Sequence, residues 1–289
     1  MKFGLRYCNT GPYVDPRLAI ELVQAGEEAG FESAWTVEHT VVPESYQTRY
    51  PYSPSGKMAG GVDDFPLPDP LIWMAYVAGH TRRIKLATGI LILPQHNPIV
   101  VAKQIASLDH MTEGRVILGV GVGWLREEFE ALGANFDGRG AVTDEYIQVL
   151  RRLWQHGSSK FQGRFISFDS IYCEPRPKQD ALPIVIGGHS EAAARRAGRL
   201  GDGFFPAREA PERLIAIAKS EAITRGRDPE ALEITVSMPD EISSLSNYRD
   251  LGVDRVLVPV TGVTGMDAAI EGPEDVLKFK DLISRYTNE

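Results

Sequence analysis

Short apolar runs alternate with longer amphipathic stretches along the whole chain, the pattern of successive strand and helix units in a parallel sheet. The runs 2–7, 33–38, 85–92, 115–121, 183–188, 203–206, 232–238 and 255–260 predict strands. Val116-Ile117-Leu118 and Ile184-Val185-Ile186 are apolar at successive positions, as in strands covered on both faces. Stretches with helical spacing fill the intervals at 16–29, 70–80, 98–111, 142–156, 190–200, 211–225, 244–251 and 273–286. Asp15-Pro16, Asp69-Pro70 and Asn97-Pro98 each pair a capping side chain with proline at the first helical position, and Gly30 and Gly114 follow helix ends. Strict alternation of eight strands with eight helices predicts an α/β fold, a (β/α)8 TIM barrel rather than a doubly wound sheet. The whole chain, 1–289, reads as one such domain. A barrel of this kind builds its active site at the carboxyl ends of its strands.

Two connections exceed what a barrel needs, which predicts insertions after strands 2 and 4. Segment 40–68 is rich in Pro, Gly, Ser and Tyr, and its length suits an active-site lid. Segment 124–139 is similarly placed. Residues 160–170 read as a small hairpin around Gln162-Gly163, with Phe161, Phe165 and Phe168 available to pack. It precedes the fifth strand, on the end opposite the chemistry.

Composition narrows the function. A net charge of −8 over 289 residues, with no clustered Lys/Arg run, argues against a nucleic-acid partner. No stretch of eighteen apolar residues occurs, and Met1–Arg6 lacks the apolar core of a signal peptide, so no membrane partner is expected and the chain reads as cytoplasmic. Cys8 and Cys173 are too few for a disulfide framework and read as buried small side chains. The six histidines are scattered without zinc-type spacing, and no G-x-S-x-G nucleophile motif is present, so no metal is expected.

The strand ends carry the candidate chemistry. His39 closes the second strand, where an imidazole can exchange a proton near neutral pH; a hydrogen-bonded structural histidine is the other reading of the same position. Its neighbour Glu38 reads as a paired structural carboxylate. Gly89 sits inside an apolar strand, which marks a bulge, a close ligand approach or a packing need. The run Gly119-Val120-Gly121-Val122-Gly123-Trp124 lacks dinucleotide-binding spacing, and its glycines read as room for a flat ring system, with Trp124 as a pocket wall or as core. Gly187-Gly188-His189-Ser190 opens a helix with free backbone N–H groups at the positive end of its dipole, a cradle for phosphate, although Ser190 is also a plain helix cap.

Taken together, Glu38-His39, Thr88-Gly89-Ile90-Leu91 with Pro94 and Asn97-Pro98, Gly119–Leu125, and Gly187–Ser190 with Leu200–Gly203 resemble the luciferase-like monooxygenase superfamily, and within it the coenzyme F420-dependent oxidoreductases. The likeness runs over nearly the whole chain. It implies a barrel, commonly a homodimer, that transfers hydride between coenzyme F420 and a small-molecule substrate. His39 would be the active-site histidine, as proton donor or acceptor. Cofactor contacts would come from His39, Gly89, Ile90, Gly121, Val122, Gly187, Gly188, His189 and Ser190, with a non-prolyl cis peptide at Gly89–Ile90 behind the ring. Arg6, Asn9, Tyr46, Trp124 and the loop 261–265 are the expected substrate wall. Relatives that oxidise sugar phosphates carry a carboxylate where Trp124 stands, which argues against that substrate. Two alternatives stay open: an FMN monooxygenase supplied by a separate cofactor reductase, and a non-catalytic flavin- or deazaflavin-binding protein.

Overall fold

The structure, a computed structural model, describes every residue except 54, 59–61, 207–211, 240, 263–268 and 288–289. Its first half runs β1 (Lys2–Arg6), α1 (Pro16–Ala29), β2 (Ser33–Thr36), α2 (Pro70–Ala78), β3 (Lys85–Thr88), β4 (Leu91–Ile92), α3 (Pro98–Met111), β5 (Val116–Gly121), α4 (Arg126–Ala131) and α5 (Arg139–Leu153). A hairpin, β6 (Ser159–Gln162) and β7 (Ser167–Ile171), leads to β8 (Ile184–Gly187), α6 (Glu191–Leu200), β9 (Gly203–Phe205) and α7 (Glu212–Thr224). The chain ends with β10 (Glu233–Ser237), α8 (Leu245–Asp250), β11 (Arg255–Pro259), α9 (Pro273–Val276) and α10 (Lys280–Thr287).

The strands close on themselves. β1 pairs in parallel with both β2 and β11, and the ring continues through β3, β5, β8, β9 and β10 back to β11. The expected third strand, 85–92, is one barrel strand in two pieces. β3 pairs β5 at Leu86↔Val116, β4 pairs it at Leu91↔Val120, and the cis peptide Gly89–Ile90 lies between them. The result is an eight-stranded parallel barrel ringed by helices, a TIM barrel.

Side chains pointing into the barrel form one layer, Trp35, Ala87, Ile117, Val185, Phe205 and Leu257, each at most 2% exposed. The larger apolar cluster lies outside, between strands and helices. Asp15, Asp69 and Asn97 cap α1, α2 and α3 as their sequence context predicts, each accepting two backbone N–H groups. Helix α5 begins at Arg139 rather than 142 because Gly138, at φ +84°, turns the chain into it. The expected helix 273–286 is broken into α9 and α10 by the turn Leu277–Phe279.

The amino-terminal end of the barrel is closed by an ion cluster. Arg255, 1% exposed, reaches Glu32 at 2.9 Å and also pairs with Glu233. Burial alone would raise the Glu32 carboxyl, but the Arg255 charge outweighs it and holds the group at about 2. The hairpin β6–β7 lies before β8, with Phe161 stacked on Phe168 and Phe165 turned outward. Cys8 and Cys173 are buried free thiols, and burial pushes Cys8 up to about 12.

Candidate active site

The two long insertions meet over the carboxyl ends of the strands. After β2, the described part of 37–69 forms no helix or strand and is fastened by its backbone. Glu127 and Glu128, adjacent on α4, do the fastening. Glu127 accepts N–H groups of Gln47 and Thr48 and the Thr48 hydroxyl, at 2.7–3.0 Å. Burial works to raise its pKa, but these donors outweigh it and hold the carboxyl at about 2. Glu128 is fully buried, and its Oε1 accepts Thr40 N–H at 2.7 Å and Val41 N–H at 3.3 Å. Its Oε2 lies 2.9 Å from Nδ1 of His39.

Between insertion and barrel lies a cavity of about 200 Å³. His39, Gly89, Ile90, Gly121, Val122, Gly187 and Gly188 all line it, so residues from four separate strand ends converge. Arg6 and Trp124 line it as well. The Arg6 guanidinium lies over the rings of Tyr7 and Phe205, 4.4 and 4.8 Å from their centroids, and donates to Ser237. Trp124 meets His39, Tyr46 and Tyr50 edge to face, with centroids 4.9–5.7 Å apart. A second cavity, of about 650 Å³, continues from the first past Gly187 and Gly188 to His189 and Ser190.

Two expected wall residues are elsewhere. Asn9 is fully buried, and its amide is spent on backbone: Nδ2 donates to Val37 and Pro68 carbonyls and Oδ1 accepts Val37 N–H. It ties the two ends of the first insertion together. Tyr46 lies in the core of that insertion with Met58 and Leu125, its hydroxyl accepting Met58 N–H at 3.0 Å. It backs Trp124 instead of facing the cavity. Thr261 contacts the cavity residue Thr10 through their hydroxyls, 2.6 Å apart, whereas 263–265 of the expected loop lie outside the described residues. So do Pro54, Gly60 and Gly61 of the first insertion.

The glycines at the strand ends serve a different purpose from the one their sequence suggests. A Cβ on Gly121 would come within 2.6 Å of the Ile90 side chain, and one on Gly187 within 2.4 Å. Both are bare because Ile90 lies between them. The flat surface presented to the cavity is therefore an isoleucine seated in a glycine groove. A Cβ on Gly89 would meet the Trp35 ring at 2.9 Å, so this glycine answers a packing need.

Glu38 accepts from Ile92 N–H and binds Nε2 of His96 at 2.9 Å, which makes it a paired structural carboxylate that also lines the cavity. Burial pulls the His96 pKa down, but the hydrogen bond and charge of Glu38, aided by Asp69 and Glu128, raise it overall. His39 and His96 thus each rest on a glutamate.

The segment Gly187–Ser190 has the shape of an anion cradle. Gly188 is at φ +133°, and a Cβ there would fall 2.9 Å from that of Ala193. Ser190 caps α6 through Ala193 N–H, while the N–H groups of Glu191 and Ala192 make no hydrogen bond among the described residues. The Glu191 carboxylate turns away to Arg195 and Arg213, which removes it from the cradle. Two arginines that the sequence did not single out, Arg139 and Arg196, line the far wall. Arg196 is ion-paired with Asp144, and Arg139 donates to Gly123 O at 3.1 Å. The residues present therefore fit a cofactor with a flat ring at one end and a phosphate at the other.

Glu128 is the other residue that the sequence pattern concealed. Leu125, Glu128, Phe129 and Leu132 have the spacing of one helical face, so a carboxylate standing in an apolar stripe was the available signal.

A model of the luciferase-like monooxygenase family matches residues 4–239. An F420-dependent glucose-6-phosphate dehydrogenase of Gordonia bronchialis is 32% identical over 250 residues, covering 81% of this chain and 69% of its own. Among solved structures, an F420-dependent secondary alcohol dehydrogenase bound to an F420-acetone adduct aligns over 98% of both chains, with TM-score 0.76 and 19% identity. Monooxygenase RslO1 from Streptomyces bottropensis aligns over 99% of this chain and 100% of its own, with TM-score 0.74 and 22% identity.

Proposed function

This chain belongs to the luciferase-like monooxygenase family, and from that premise we propose that it is an F420-dependent oxidoreductase that moves a hydride between the deazaflavin and a small organic substrate. The supporting observation is the continuous trough at the strand ends, which runs from His39 to the bare backbone of Gly187–Ser190. One end is apolar and ring-sized; the other offers free N–H groups at the start of a helix, suited to phosphate. Relatives whose names carry F420 dependence support the same reading. The whole of 1–289 is taken as the functional unit.

A deazaflavin bound there would supply a carbon centre able to take or give a hydride. Ile90, with Gly89 behind it, would support one face of the ring, beside Gly121 and Val122. Gly187, Gly188, His189 and Ser190 would hold the phosphate. His39 would manage the proton that accompanies the hydride, as acid in reduction and base in oxidation. Trp124 and Arg6 would form the substrate wall with Tyr50, Tyr52 and Phe65 of the first insertion, all of which line the cavity. That wall suits a substrate with an apolar body better than a sugar phosphate.

The FMN monooxygenase reading, with a separate reductase as partner, draws support from the family description and from the likeness to RslO1. Against a non-catalytic binding protein stand the His39–Glu128 pair and the anchored lid, which storage would not need. For the homodimer we favour the face where Ile72 and Tyr76 of α2 and Val100 of α3 expose apolar side chains. Cofactor identity is decided by titrating the purified protein with F420 and FMN side by side. Micromolar binding of F420 is expected; binding of FMN alone would overturn the F420 reading.

A further inference from the structure

We propose that Glu128 is the positioning residue of the site: it holds the proton of neutral His39 on Nδ1, so that Nε2 is the atom that exchanges a proton with substrate. The proposal rests on the functional reading above, but its geometry stands on the fold alone. Glu128 is buried completely, and both of its oxygens are committed. Oε1 is fixed by the N–H groups of Thr40 and Val41, neither of which can do anything but donate. The carboxylate therefore cannot rotate, and Oε2 is left pointing at Nδ1 of His39 from 2.9 Å.

A carboxylate oxygen only accepts, so Nδ1 must carry a hydrogen. The His39 ring lines the cavity, and Nε2 has no hydrogen-bond partner among the described residues. In alcohol oxidation, with a bound deazaflavin supplying the hydride acceptor, Nε2 would take the hydroxyl proton of the substrate. His39 becomes an imidazolium, and Glu128, already in contact, balances its charge. Reduction of a carbonyl reverses the proton transfer. Because Thr40 and Val41 begin the first insertion, the same carboxylate sets the ring orientation and the root of the lid together.

The charged groups that line the cavity beside this histidine, among the described residues, are already engaged: Glu38 is paired with His96, and Arg6 lies on Tyr7 and Phe205.

Glu128→Gln separates positioning from structure. The amide oxygen must stay on the two N–H donors of Thr40 and Val41, which turns the NH2 group toward His39. That group only donates, so Nδ1 would become an acceptor and the proton would move to Nε2, the wrong tautomer for a base. An interchange of this kind at a histidine-supporting carboxylate preserves geometry while removing turnover. Histidine-selective 15N labelling reads the tautomer directly, with His39→Ala identifying the resonance. The expected result is an Nδ1–H form in the wild-type protein and an Nε2–H form in Glu128→Gln. Turnover should fall by about 10²–10⁴-fold with F420 affinity little changed. An Nε2–H form of His39 in the wild-type protein would overturn the proposal, and so would a Glu128→Gln enzyme of normal turnover. The resonance needs no cofactor, so it decides the assignment even if F420 fails to bind and the functional reading falls.

Discussion

At the scale of single residues, the site is governed by what each side chain is prevented from doing. Ile90 can present a surface to the cavity because neither Gly121 nor Gly187 has a Cβ to displace it. Gly188 carries a different constraint. At φ +133° it occupies a conformation that L side chains rarely adopt, and a new Cβ would press on Ala193. Gly188→Val should therefore cost about 1–3 kcal/mol in backbone strain and close the approach to the N–H groups of α6. The expected outcome is a folded barrel with a slightly lowered Tm whose F420 affinity is reduced at least tenfold, about 1.4 kcal/mol or more. Calorimetry and titration on the same preparation check it, and unchanged affinity in the folded variant would remove the phosphate assignment.

At the scale of elements, the informative unit is the first insertion clamped by α4. Without helix or strand of its own, the described part of 37–69 relies on carboxylates for its backbone partners. Its aromatic side chains pack on Trp124, which sets Tyr50, Tyr52 and Phe65 along the wall of the cavity. Hydrogen exchange with and without F420 should show slowed exchange in the insertion and no change in the hairpin β6–β7. Protection confined to the hairpin would put the cofactor at the other end of the barrel. Glu127→Ala should speed exchange at Gln47 and Thr48, whose N–H groups lose their acceptor, while the barrel strands stay protected.

At the scale of the whole molecule, the barrel keeps its chemistry and its reinforcement at opposite ends. The buried Arg255 joins β11 to Glu233 of β10 and to Glu32 before β2, under the Trp35 layer. Removing the buried cation leaves Glu32 with Lys85 and Glu233 with Lys2 as their remaining ion-pair partners, so Arg255→Ala should destabilise the fold by about 1–3 kcal/mol. Chemical denaturation at neutral pH measures this. The same cluster sets an acid limit. Glu32 is more acidic folded, at about 2, than its ordinary value of 4.5, so folding favours its ionised form. Its contribution is complete above pH 4.5 and is lost as the pH falls toward 2. Stability should decline across that window in the wild-type protein and less steeply in Arg255→Ala; equal slopes would separate Glu32 from Arg255.

Apolar periodicity and capping pairs were sufficient for the eight strand-helix units and for the end of the barrel that carries the cavity, because a residue's side of a strand or helix is a local property of the chain. Segment 40–68 was legible as an insertion for the same reason: Pro and Gly forbid long regular structure there. What the sequence could not contain was pairing across the barrel. His39 and Glu128 are 89 positions apart, and only closure of the strands brings the second and fourth connections together. Asn9 and Tyr46 show the converse. Each has the right chemistry at the right strand end or insertion, but backbone groups that fold against them claim their polar atoms first. Gly121 reads along the chain as room for a flat ring and Gly187 as part of a phosphate cradle; in the folded barrel both also make room for Ile90, because a Cβ on either would run into its side chain, a contact that only tertiary packing creates.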